Sequence, residues 1–148
     1  MLNDMSLIRE RTDLLKSLTG LTISSCCRLF EPYGDSDFIP SNIRDQELDA
    51  ITVLKFSNKH LLGFYPDTSK FTLSVKEHVL GDLPKGLVNV SSNSFWQGVI
   101  GKKILAVNLL FGIIEEPYGI RFELENNLKF ELQYVSETEY TFDALIIR

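Results

Sequence analysis

Apolar positions fall into two kinds of rhythm along the chain, and each kind occurs twice. Near the start, Leu7, Ile8, Leu14, Leu15 and Leu18 recur at helical spacing, while Arg9, Glu10, Lys16 and Ser17 fill the opposite stripe. That pattern predicts a helix from Asp4 to Thr19, capped by Asn3 or Asp4 and ended by Gly20 in the left-handed conformation that helix ends favour. Ser92 or Ser94 opens a shorter version in which Phe95, Trp96, Val99 and Ile100 form the stripe and Gly101 ends it. After each glycine the rhythm changes to strand-like runs, 21–30 and 102–111, rich in Ile, Val, Leu and Phe. Alternation follows: Thr52, Leu54 and Phe56 against Ile51, Val53 and Lys55, and Ile120, Phe122 and Leu124 against Arg121, Glu123 and Glu125. Ser57-Asn58-Lys59 and Glu125-Asn126-Asn127 then supply turn chemistry for tight hairpins. Return strands are predicted at about 60–66 and 128–135, and fourth strands at about 70–76 and 140–147.

The repetition extends to residue identity. Leu29-Phe30 and Leu110-Phe111 stand at the same distance from the two glycines, and Glu31-Pro32-Tyr33-Gly34 returns as Glu116-Pro117-Tyr118-Gly119. A repeat of this kind predicts an α+β protein built by internal duplication of a helix plus a four-stranded antiparallel unit, its two halves packed as one domain. The whole of 1–148 is expected to form a single globular domain, with pseudo-repeats at about 1–76 and 92–148 and a connector over 77–91. Its expected core comprises Leu14, Leu18, Ile23, Leu54, Phe56, Leu62, Phe64, Trp96, Ile100, Ile104, Phe122, Leu124, Phe130 and Leu132.

The copies differ after the repeated tetrapeptide. Gly119 leads straight into a strand, whereas Gly34 is followed by an insertion from Asp35 to about Ala50. With Glu31, the insertion sets Asp35, Asp37, Asp45, Glu47 and Asp49 against a single Arg44, so this stretch carries a charge equal to the −5 of the whole chain. A scaffold needs in both halves what folding requires; an addition to one half is free to meet a partner. Asp35, Asp37, Asp45, Glu47 and Asp49 are therefore the candidate partner-binding residues, expected to steer a basic protein toward the chain.

Composition narrows the remaining possibilities. The 148 residues are 44% hydrophobic and 24% charged, as expected for a water-soluble domain able to bury a core without metal or disulfide. An acidic balance disfavours nucleic acid and anionic membrane surfaces, both of which select clustered Lys and Arg. No apolar run approaches the roughly 20 residues of a membrane span, and the first residues lack signal-peptide character, which together lead to the expectation of a cytoplasmic protein. Cys26 and Cys27 are adjacent, so on a strand they face opposite sides, one buried and one half-buried or exposed. His60 at a hairpin tip and His78 at the start of the connector are both expected to be solvated. No nucleophile motif, phosphate loop or metal-ligand spacing is present, so neither catalytic residues nor cofactor or metal ligands are assigned. Glu115-Glu116 reads as a solvated pair, Lys102-Lys103 as a strand start or a helix-end charge pair, and Trp96 as core.

The segment Phe95-Trp96 with Ile100-Gly101-Lys102 and Ile104, followed by Ile120-Arg121-Phe122, Asn126 and Phe130-Glu131-Leu132, resembles small bacterial immunity proteins found beside secreted toxins, of the contact-dependent-inhibition or polymorphic-toxin type. That resemblance implies a cytoplasmic, non-enzymatic protein that binds and blocks one toxin domain. The alternative expectation is a small enzyme or ligand-binding protein with a pocket between the two halves.

Overall fold

A computed structural model of the chain describes residues 5–29, 48–49, 51–135 and 144–147. Among these, strands dominate. Six form one antiparallel sheet in the order β1-β6-β5-β4-β2-β7, and five form a second in the order β3-β11-β10-β9-β8. The first sheet comprises β1 (Ser6–Leu7), β2 (Ile23–Leu29), β4 (Ile51–Phe56), β5 (Leu61–Asp67), β6 (Thr72–His78) and β7 (Val88–Asn89). The second comprises β3 (Leu48–Asp49), β8 (Ile104–Leu110), β9 (Gly119–Leu124), β10 (Leu128–Val135) and β11 (Ala144–Ile147). Among the described residues, helix is confined to α1 (Thr12–Lys16), α2 (Ser94–Gln97) and 3₁₀ turns at Ile8–Arg11 and Leu80–Asp82.

This architecture corrects the expected α+β class: the protein is mostly β, and it is not a repeat of a helix plus four strands. The anticipated helix from Asp4 to Thr19 is instead β1, a 3₁₀ turn and the five-residue α1 in succession. The reason is visible in the pattern itself. Five consecutive polar residues, Arg9 to Asp13, separate Leu7-Ile8 from Leu14-Leu15, so the apolar positions act as two anchors and not one continuous stripe. Leu7 and Ser6 pair with Ser74 and Val75 on β6, satisfying backbone groups that β6 would otherwise expose at the sheet edge, and Ile8 is fully buried beside them. The two sheets are also unequal. The connector supplies β7, which pairs with β2, and the end of the insertion supplies β3, which pairs with β11 in the other sheet.

The long strands follow the alternation closely. β4 and β5 are joined through Ser57-Asn58-Lys59, with Lys59 at φ 73°, and β9 and β10 through Glu125-Asn126-Asn127, with positive φ at both asparagines. Residues from both sheets share one apolar core. Every residue of the expected core is buried except Leu14 and Ile100, which pack against it partly exposed. Phe122 stacks on Phe130 with centroids 4.8 Å apart, Trp96 meets Phe130 edge-on at 5.4 Å, and Phe64 of the first sheet meets Phe122 edge-on at 6.2 Å. The turns after the short helices cross over: the Gly20 N–H donates to the Ile104 carbonyl at the start of β8, and the Gly101 N–H donates to the Ile23 carbonyl at the start of β2. Each of these strands has a register shift just beyond that point.

Candidate functional site

Of the residues assigned from the sequence to partner binding, Asp35, Asp37, Asp45 and Glu47 lie outside the described residues. Asp49 is on β3, its backbone registered against Leu145 of β11; its side chain lies outside what is described. Three other features carry polar chemistry or exposed apolar surface, and only fragments of them are legible in the sequence.

The first is a chain of hydrogen bonds through His78. Contrary to the expectation of a solvated residue, its side chain is only 1% exposed. The pairing of β5 with β6 brings it against Tyr65, whose hydroxyl lies 2.6 Å from Nε2. Room for the ring exists because position 63 is glycine: a β-carbon there would stand 2.7 Å from Nε2. On the other side Nδ1 lies 3.0 Å from Asp82 Oδ1, in the 3₁₀ turn, and the same oxygen accepts the Val79 N–H at 3.0 Å. An ionised carboxylate can only accept, so Nδ1–H donates to Asp82; in the neutral imidazole Nε2 then accepts from the Tyr65 hydroxyl. The hydrogen bond from His78 holds the Asp82 carboxyl below its ordinary value, helped by the Val79 N–H and by Lys76 at 3.9 Å, against partial burial. Burial, with the Asp82 charge, pushes the Tyr65 phenol up to about 12. A Tyr–His–Asp order resembles a catalytic relay; both imidazole nitrogens are engaged inside the fold, and the ring is almost wholly buried beside the depression that His78 helps to line. The phenol is also made a weaker acid. The arrangement ties the end of β6 to β5 and to the 3₁₀ turn that follows.

Beside it lies an open depression of about 410 Å³, walled by Lys59, His60 and Leu61 from the β4–β5 hairpin and by Glu77, His78, Val79 and Leu80. His60 is exposed there, as its place at the hairpin tip predicts. Glu77 is engaged by the Arg11 guanidinium at 3.0 Å.

The third feature is the loop from β8 to β9. Phe111 is 59%, Ile113 105% and Ile114 47% exposed. Its base is held on all sides. The Tyr118 N–H donates to Leu110 O at 2.8 Å, the Tyr134 N–H donates to Tyr118 O at 2.8 Å, and the buried Thr72 hydroxyl of the other sheet donates to Pro117 O. Glu116 accepts two hydrogen bonds from Arg9, at 2.8 and 3.1 Å, which lower its pKa and raise that of Arg9. Gly119 packs so closely on β10 that a β-carbon would stand 2.4 Å from the Leu132 carbonyl oxygen. The second Glu-Pro-Tyr-Gly copy is thus a clamp between sheets, while Glu115, expected to be solvated, is exposed.

The cysteines match their expected burial: Cys26 is buried, and Cys27 is half-buried with its thiol pushed up by desolvation, away from thiolate chemistry. Arg28 on the same strand is fully buried and partnered. Among the described residues no group of three or more His, Cys, Asp or Glu is placed to hold a metal ion, and no helix is long and apolar enough to cross a membrane. No family model, curated protein or solved structure matches the chain.

Proposed function

We propose that this chain is a non-enzymatic protein-binding protein of the immunity type, which binds and neutralises a bacterial toxin domain. The observation that carries this reading is the packing between the sheets. A ligand carrier or small enzyme of this architecture would place its pocket there. Phe64, Phe122, Phe130 and Trp96 occupy that space instead, in edge-on and stacked contact. With the interior filled, function belongs to the surface, and a surface with exposed apolar residues and an acidic stretch suits a basic protein partner.

The test is growth protection. Each domain encoded by the genes that flank this one is expressed in a bacterial host, alone and together with the chain, to find one that arrests growth. Growth arrest by the domain alone, relieved by co-expression, supports the reading. Arrest that persists despite soluble, folded chain overturns it. The carrier alternative makes the opposite forecast, saturable uptake of a small ligand with quenching of the single buried Trp96.

A further inference from the structure

We infer that the β8–β9 loop, residues 111–115, is the anchor by which the chain seats in an apolar cleft of its protein partner, a cleft rimmed by Lys or Arg. This rests on the protein-binding reading above and adds the place and the chemistry of contact. Three apolar side chains stand exposed within four positions, with Ile113 fully projected from the surface. Exposed apolar surface of this kind is favourable only when something covers it. The loop is also held before any partner arrives. Leu110–Tyr118, Thr72–Pro117 and Arg9–Glu116 fix its base from both sheets, so little ordering entropy is lost on docking.

Charge selects the rim. Arg9 is taken by its bidentate pair with Glu116, on which Lys70 also acts, and Arg9 and Glu116 line a small depression of about 180 Å³ with Glu115. Glu115 adds a second carboxylate to that single guanidinium, on which its charge also acts, and stands next to Ile114, so the loop presents apolar bulk beside a net negative charge. An anionic membrane is repelled by that charge; a cleft with basic edges is attracted. The exposed pair Val79-Leu80 lacks this character, since Lys59 and His60 stand across the depression from it.

The experiment measures affinity and association rate for the purified toxin domain used in the growth test. Wild type, Ile113→Ser/Ile114→Ser, Glu115→Lys and the control Leu80→Ser are compared, each checked for an unchanged melting temperature. The double variant is expected to bind about 30-fold or more weakly, the loss typical of anchor residues. Glu115→Lys should slow association and weaken its salt dependence, and Leu80→Ser should bind as wild type. Equal affinities for wild type and double variant overturn the anchor and leave the protein-binding reading standing. A wild-type chain that neither binds nor protects overturns both. Phosphatidylcholine vesicles form the last arm: binding to them that disappears in the double variant overturns the protein cleft in favour of a lipid surface.

Discussion

A β-carbon at position 119 meets a backbone carbonyl, which cannot rotate away as a flexible side chain can. Gly119→Ala is therefore expected to destabilise the fold by about 1–3 kcal/mol, as overpacking does, measured by urea unfolding. Gly20 and Gly101 have open space around them and a positive φ, so alanine there costs about 1–2 kcal/mol through conformation alone. Tyr65→Phe deletes the hydroxyl that satisfies the buried His78 Nε2, with an expected loss of about 1–3 kcal/mol. It should also change the alkaline limb of stability. The phenol is raised in the folded state, so its contribution is complete below its unfolded value near 10 and fades as pH rises towards 12. The variant should be flatter over that window in pH-dependent unfolding. Asp82 has the opposite sign. Its folded carboxyl is lowered, so its contribution is present above the ordinary carboxylate value and is lost as pH falls through the lowered one. Asp82→Asn should flatten the acid limb. Glycine at 119 was marked in the sequence by the repeated tetrapeptide. The burial of His78 was not, because its partners are set by strand register across a hairpin and by a 3₁₀ turn, neither of which leaves a local pattern.

Strands of six or more residues announce themselves by alternation, and β4, β5, β9 and β10 fall close to where the pattern places them. The two-residue strands β1, β3 and β7 cannot, since two positions have no period; each exists because a neighbouring edge offers unpaired backbone. The same limit explains the false long helix. Spacing alone cannot tell one stripe from two anchors when a polar stretch of five lies between them. Turns are more legible. Asn126 and Asn127, at φ 64° and 60°, adopt the conformation that asparagine tolerates better than other side chains. Asn126→Val should cost about 1–2 kcal/mol, whereas Asn127→Gly should leave stability equal or slightly higher. Thermal unfolding of the pair separates backbone strain from loss of side-chain contacts. Removing the Arg9–Glu116 pair by Arg9→Ala should leave the melting temperature nearly unchanged, because the arginine is 52% exposed and its charge is screened by solvent.

Both sheets contribute to one core, so the molecule should unfold as one. Trp96, the only tryptophan, sits fully buried against Phe95 and Phe130. Its fluorescence and the far-ultraviolet circular dichroism should report a single coincident transition, and Trp96→Ala should lower stability by about 3–5 kcal/mol. The core was the most readable part of the protein, since the hydrophobic pattern alone names residues from both sheets. The contact surface was the least. The acidic insertion drew attention through its charge, yet the exposed Phe111 falls at the end of the strand predicted over 102–111, and Ile113 and Ile114 just beyond it carry no pattern that marks them.

The crossed connections also set an order for synthesis. Gly20 caps a strand that begins at Ile104, and Leu48 and Asp49 pair with Ile146 and Leu145. A ribosome that has released the first hundred residues has therefore released a sheet with its N-terminal turn unattached and the partner of β3 still unmade. Contacts this distant in sequence are slow to form, and until they do the apolar faces of both sheets stand open to other nascent chains. Folding is thus completed only after residues 144–147 clear the exit tunnel, and truncation before them should yield chains that aggregate instead of shorter native-like proteins.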